Sequence, residues 1–163
     1  MTAATTPTGS VPGARSDAFL GLDLGTSSVK GVLVGADAGE VLAEAEHPLE
    51  LVEVGVLGAE QDPEAWWSAA VAVLRELSAA AASRAVRPLA LGLTGQKHAL
   101  LPLDAEGRPL HRAVLWCDGR AVEETVEVHA RAGRLLGKRT GTLAFPGTLL
   151  PKWLRLRRLA PDV

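Results

Sequence analysis

Apolar residues gather in short runs along the first half of the chain, and each run ends on small or polar residues. Ala18-Phe-Leu-Gly-Leu-Asp23 is one such run, closed by an acid, and Val29-Lys-Gly-Val-Leu-Val34 is the next. Both predict strands, joined by the turn-like Leu24-Gly-Thr-Ser-Ser28. Ala36-Asp-Ala-Gly39 is a tight turn in which Gly39 suits a positive φ. Glu40–Glu46 predicts a third strand, so the opening is an antiparallel meander. A helix follows: Asp62 fits the N-cap, Pro63 the first helical position and Glu64 the positive end of the dipole. Trp67, Ala70, Val71, Leu74 and Leu77 recur at helical spacing and predict its buried face. The Ala-rich stretch before Pro88 predicts its decay.

Leu89-Ala-Leu-Gly-Leu-Thr94 predicts a buried strand that runs into Gly95-Gln-Lys-His98. An irregular hairpin across Asp104–Gly107 leads to a further short strand, Ala113-Val-Leu-Trp116. Asp118 is placed to cap a helix over about Ala121–Ala132, with an exit at Gly133 and Gly137. Pro151–Leu159 predicts a basic amphipathic helix. Strands, a helix and strands again indicate an α/β layering, with polar residues collected at strand ends where ligands gather.

Composition narrows the function classes. With 47% hydrophobic and 22% charged residues among 163, general disorder is excluded, and one domain or part of a larger one is expected. The net charge of −2 gives no reason to expect nucleic acid or an anionic membrane as a partner. No apolar run approaches a membrane span of ~18 residues. Residues 1–17 carry Thr, Ala, Pro, Gly and Ser without the apolar core of a signal peptide, and predict a disordered tail. The single cysteine, Cys117, has no intrachain partner, which fits a reducing cytoplasm.

The segment richest in chemistry is Gly21–Lys30. Gly25 lets backbone approach a ligand, Thr26, Ser27 and Ser28 offer hydroxyl and amide donors, and Lys30 adds a cation. Asp23 alone would repel a phosphate, and a magnesium ion reconciles the two. Neither G-x-x-x-x-G-K-[ST] nor G-x-G-x-x-G occurs, so the better-known phosphate loops are absent. Taken alone, the segment fits a plain hairpin equally well. Gln96, Lys97 and His98 can hydrogen-bond the hydroxyls of a polyol, or form an ordinary turn. Trp116, Asp118 and Arg120 place an aromatic face beside an acid and a base. The alternative there is a strand end with a capping Asp118 and an Asp118–Arg120 surface pair of little energetic value. Arg155, Arg157 and Arg158 form a solvated helix face.

Five stretches occur together in one order: Leu22–Lys30, Glu60–Trp67, Gly95–His98, Leu115–Arg120 and Phe145–Lys152. In this the chain resembles the N-terminal part of an FGGY carbohydrate kinase, most closely a xylulokinase. The resemblance implies an actin- and hexokinase-like fold with a ribonuclease-H-like core, here N-terminal and incomplete, over residues 18–163. It implies transfer of the ATP γ-phosphate to a sugar hydroxyl, D-xylulose or a related ketose or polyol, in the cytoplasm. On the matching positions, Asp23 is the acid near Mg²⁺. Gly25, Thr26, Ser27 and Ser28 form the first phosphate loop with Lys30 nearby, Lys97 and His98 hold the sugar, and Trp116 borders it. Xylulokinases commonly carry Met or Gln at the position of Lys97. The family's catalytic aspartate, second phosphate loop and adenosine site belong to sequence beyond Val163. No residue of the sequence stands out as a base in its place, and Asp118 and His98 are candidates by chemistry alone. The chain is therefore expected to be inactive alone and to need a C-terminal kinase domain. A non-catalytic nucleotide- or sugar-binding module, or half of a split kinase, is the alternative.

Overall fold

The computed structural model of the chain describes residues 16–161 and 163. In chain order the elements are β1 (Ser16–Leu24), β2 (Ser28–Gly35), β3 (Val41–Pro48), β4 (Val52–Val54), β5 (Gly58–Gln61), α1 (Pro63–Ser83), β6 (Val86–Gly95), β7 (Ala113–Val114), α2 (Val122–Thr140) and α3 (Leu149–Leu159). The expected tail lies outside the described residues except for Ser16 and Asp17, which open β1. Asp17 is held there by Arg87 of β6, at 2.9 Å.

Alternation along β1 sends Ala18, Leu20, Leu22 and Leu24 into the core and leaves Phe19, Gly21 and Asp23 on the other face. β1, β2 and β3 form the expected antiparallel meander, and β6 adds parallel to β1, giving the order β3-β2-β1-β6. Gly39 takes φ 71° in the β2–β3 turn. A second, antiparallel sheet has the order β4-β5-β7. Its first two strands carry too few apolar residues to show in the sequence pattern. Only Ala113 and Val114 of the predicted last strand join its ladder. Leu103 pairs with Pro109 across the Asp104–Gly107 turn, as the hairpin requires.

Asp62 caps α1 by accepting from the Glu64 amide at 3.0 Å, with Pro63 at the first position. The buried stripe is Ala69, Ala70, Val73, Leu77 and Ala81. Val73 and Leu77 are fully enclosed against Val29 and Leu33, at about 1.5–3 kcal/mol per side chain. The helix lies so close to β2 that a β-carbon at Gly31 would collide with Val73 and Leu77. Trp67 is the exception to the predicted face: it is 69% exposed. Ala70 and Leu77 lie on the buried stripe as expected, Val71 and Leu74 are half-buried, and Trp66 rather than Trp67 turns inward. The helix ends within the Ala-rich stretch before Pro88, as expected. Alanine has the highest helix propensity, and Ala81 is packed in the core, so the helix continues to Ser83.

Three further expectations are corrected. β6 is a strand, but Leu89, Leu91 and Leu93 are exposed. Its residues Leu91 and Leu93 pair with Leu20 and Leu22 and share the α1 face. However, α1 packs mainly over β2 and β3 and reaches β6 less than either. Helix α2 passes through Gly133 and Gly137 and ends at Gly141, whose φ of 70° makes the left-handed cap. Asp118 does not cap that helix. Ala121 holds the cap position without a side-chain bond, because the Asp118 carboxylate is drawn inward to other partners.

Candidate functional site

Gly25 N donates to Ser28 O at 3.0 Å and closes the loop between β1 and β2. A β-carbon at Gly25 would stand 2.8 Å from that same oxygen, so the tight closure requires glycine. Gln96 N donates to Leu24 O at 2.9 Å, carrying the β1–β6 ladder one step past the strand ends. Two separate polar segments thus emerge side by side. Asp23, Gly25 and Thr26 from the first, Gln96, Lys97 and His98 from the second, and Trp116 from beyond β7 line one open cleft of ≈ 380 Å³.

A chain of hydrogen bonds fixes this cleft. Trp116 Nε1 donates to Thr26 Oγ1 at 3.0 Å, and Thr26 Oγ1 reaches Gln96 Oε1 at 3.5 Å. Beneath them sits Gln61, 1% exposed. Its Nε2 donates to Thr26 O at 2.7 Å, and its Oε1 accepts from Trp66 Nε1 at 2.9 Å and Gln96 Nε2 at 3.2 Å. Gln61 is the hub that sequence reasoning missed. The available signal was a polar side chain in the run Gly58-Ala-Glu-Gln61, where β5 is buried throughout.

The remaining loop residues lie elsewhere. Ser27, Ser28 and Lys30 do not line the cleft. Ser27 is exposed, and its carbonyl accepts from Leu49 N at 2.9 Å. The Ser28 hydroxyl holds Glu46 below its ordinary carboxylate value against the opposing effect of desolvation, and Lys30 at 3.5 Å adds to the lowering.

The Asp118–Arg120 pair is not a weak surface contact. Asp118 is 1% exposed and accepts from Ala59 N at 2.9 Å, Arg120 N at 3.0 Å and Arg120 Nε at 2.9 Å. Arg120 also donates to the buried Glu60 at 2.6 Å. Burial works against the Arg120 charge, and the bonds to Asp118 and Glu60 more than offset it, raising its pKa. This cluster bolts the segment after β7 onto β5. Asp118 is thereby consumed in structure and is not a lining residue of the cleft.

Of the basic stripe on α3, Arg158 pairs with Glu124 at 3.0 Å and Glu127 at 2.8 Å on α2. The fourth cation of that helix, Lys152, is buried. Its Nζ donates to the carbonyls of His98, Val114 (3.0 Å) and Leu115 (2.9 Å).

No group of three or more His, Cys, Asp and Glu gathers as a metal cage among the described residues. Asp23 beside Gly25 and Thr26 instead fits an ion that takes one carboxylate and fills its shell with waters and phosphate oxygens, as Mg²⁺ does. No helix among the described residues is long and apolar enough to cross a membrane.

An antiparallel meander with a parallel fourth strand, and a polar cleft where β1 and β6 end, place the chain in the actin/hexokinase-like ATPase fold. The chain belongs to the FGGY family of carbohydrate kinases: residues 18–163 match the N-terminal domain of that family. It is 38% identical over 147 residues to the xylulose kinase of Escherichia coli strain K12, covering 89% of this chain and 29% of that protein. It superposes on the crystal structure of xylulose kinase from Rhodospirillum rubrum with a TM-score of 0.82 and 33% identity, covering 90% of this chain and 30% of that one. The glycerol kinase of Plasmodium falciparum shares the fold at a TM-score of 0.84 and 22% identity. The chain thus spans about three-tenths of the length of these relatives.

Proposed function

We propose that this chain supplies the first phosphate loop and the sugar pocket of a kinase that phosphorylates D-xylulose to D-xylulose 5-phosphate, using ATP and Mg²⁺ in the cytoplasm. The observation that carries this reading is the single cleft in which Asp23, Gly25 and Thr26 face Lys97, His98 and Trp116. A phosphate donor and a hydroxyl acceptor must lie within bonding reach of each other, and this cleft brings the two donor sets together. Similarity to xylulose kinases favours the ketose over other polyols.

The roles divide by chemistry. Gly25 and Thr26 present backbone and hydroxyl donors to phosphate oxygens. Ser27, Ser28 and Lys30 sit one step behind and shape the loop and its field. Asp23 would hold the magnesium ion, which neutralises charge on the transferred group. Lys97 and His98 bind sugar hydroxyls, and the Trp116 ring packs on the apolar face of the sugar. Asp118 is committed to Arg120 and Ala59, so among the described residues the cleft offers the attacking hydroxyl no carboxylate beyond the metal-side Asp23. That commitment favours a second reading, in which this chain is one half of a split kinase, paired with a C-terminal domain that carries the base.

The test pairs this chain with a separate polypeptide corresponding to the remaining length of a xylulose kinase and measures ADP release dependent on D-xylulose. His98→Ala is expected to raise the D-xylulose KM about tenfold, the value of one hydrogen bond of ~1–1.5 kcal/mol, and to leave the ATP KM unchanged. Equal effects on both substrates would remove His98 from the sugar pocket.

A further inference from the structure

The ammonium of Lys152 is unusual in its surroundings. The side chain starts in the first turn of α3, is 2% exposed, and spends its three N–H donors on three carbonyls. Those carbonyls come from the loop after β6 and from the end of β7. The first belongs to His98, whose φ of 61° is left-handed, a conformation that a residue with a side chain adopts only when its surroundings hold it there. The last belongs to Leu115, whose peptide leads directly into Trp116. The rest of the same segment adds two fixings. The Phe145 ring meets the His98 ring edge-on at 6.2 Å, and Gly147 lies against the Trp116 carbonyl where a β-carbon would collide.

We propose that Lys152 is the positioning residue of the cleft: its ammonium pins the peptides of His98 and Leu115 together, and so aims His98 and Trp116 at the space beside Asp23 and Thr26. The effect on sugar binding rests on the sugar-pocket reading above; the aiming of the two side chains does not. A charged ammonium fits this task because it alone among lysine's forms has a donor for each carbonyl. Burial lowers its pKa to about 8 while Asp118 and Cys117 pull it upward. The other charged groups around the same cavity are Glu60 on β5, His111 and Arg120 in the loops beside β7, and Arg155 on α3 itself. On losing its proton Lys152 keeps two donors for three carbonyls, and one peptide is released.

The experiment follows the carbonyl carbons of His98, Val114 and Leu115 and the Trp116 indole N–H by NMR in the 163-residue chain as pH rises, and repeats D-xylulose titrations along the series. The expected result is one shared transition at the three carbonyls near pH 8. It should persist in Cys117→Ser, which removes the neighbouring thiol, and vanish in Lys152→Met. D-xylulose affinity should fall across the same transition in the wild type. In Lys152→Met it should be about tenfold weaker and independent of pH over that range. A folded Lys152→Met with unchanged Trp116 and His98 signals and unchanged affinity would overturn the proposal. If that variant does not fold, the wild type decides: three carbonyls that titrate separately, or not at all, are equally fatal. A shared transition without any D-xylulose response leaves the positioning role standing and removes the sugar-pocket reading instead.

Discussion

Asp118→Ala is expected to destabilise the chain by about 3–5 kcal/mol, because it breaks a buried ion pair from one side. The substitution leaves Arg120, Glu60 and the Ala59 amide without the carboxylate that joins them. Domains of this size have about 5–15 kcal/mol in all, so much of the folded population is at stake. A urea unfolding midpoint measures it. Asp118→Asn keeps an acceptor for Ala59 N and should lose less. A midpoint for Asp118→Ala within error of the wild type would return the pair to the weak surface contact that the sequence alone suggested.

The second large effect concerns turnover. The 163-residue chain alone should show no D-xylulose-dependent ADP release above background at saturating ATP and Mg²⁺. General-base catalysis contributes about 10²–10⁴-fold, and no carboxylate in the cleft other than Asp23 is free to supply it among the described residues. Steady turnover that Asp23→Ala abolishes would show that the chain contains its own base.

These two predictions draw on opposite kinds of information. The tight loop between β1 and β2 was legible because its signals are local. Asp23 closes one strand, Gly25 sits between two, and Ser28 opens the next, all within a few residues. The same holds for Asp62 and Pro63 at the start of α1. His98 and Trp116 could be named from strand ends and from family resemblance. What the pattern could not show were contacts made across long separations. Gln61 bonds Thr26 and Gln96, each 35 residues away, and Lys152 reaches His98 at a separation of 54. Asp118 looks like a helix cap in sequence because its partner Ala59 lies 59 residues earlier, on β5. The exposure of β6 has the same origin: an apolar run predicts burial, but what covers a strand is decided by where α1 lies. On α1 only Trp67 was misplaced, for a smaller reason. Trp66 and Trp67 are adjacent, and either can lead a helical repeat.

The most direct test of the central claim, that phosphate and sugar meet in one cleft, is an NMR titration of this chain with D-xylulose and separately with Mg·ATP. D-xylulose should shift Lys97, His98 and the Trp116 indole, and Mg·ATP should shift Gly25 and Thr26, with the Thr26–Trp116 bond coupling the two responses. Shifts from D-xylulose confined to other surfaces, such as the cavity beside Arg155 and Leu159, or no response at these five residues to either compound, would contradict it.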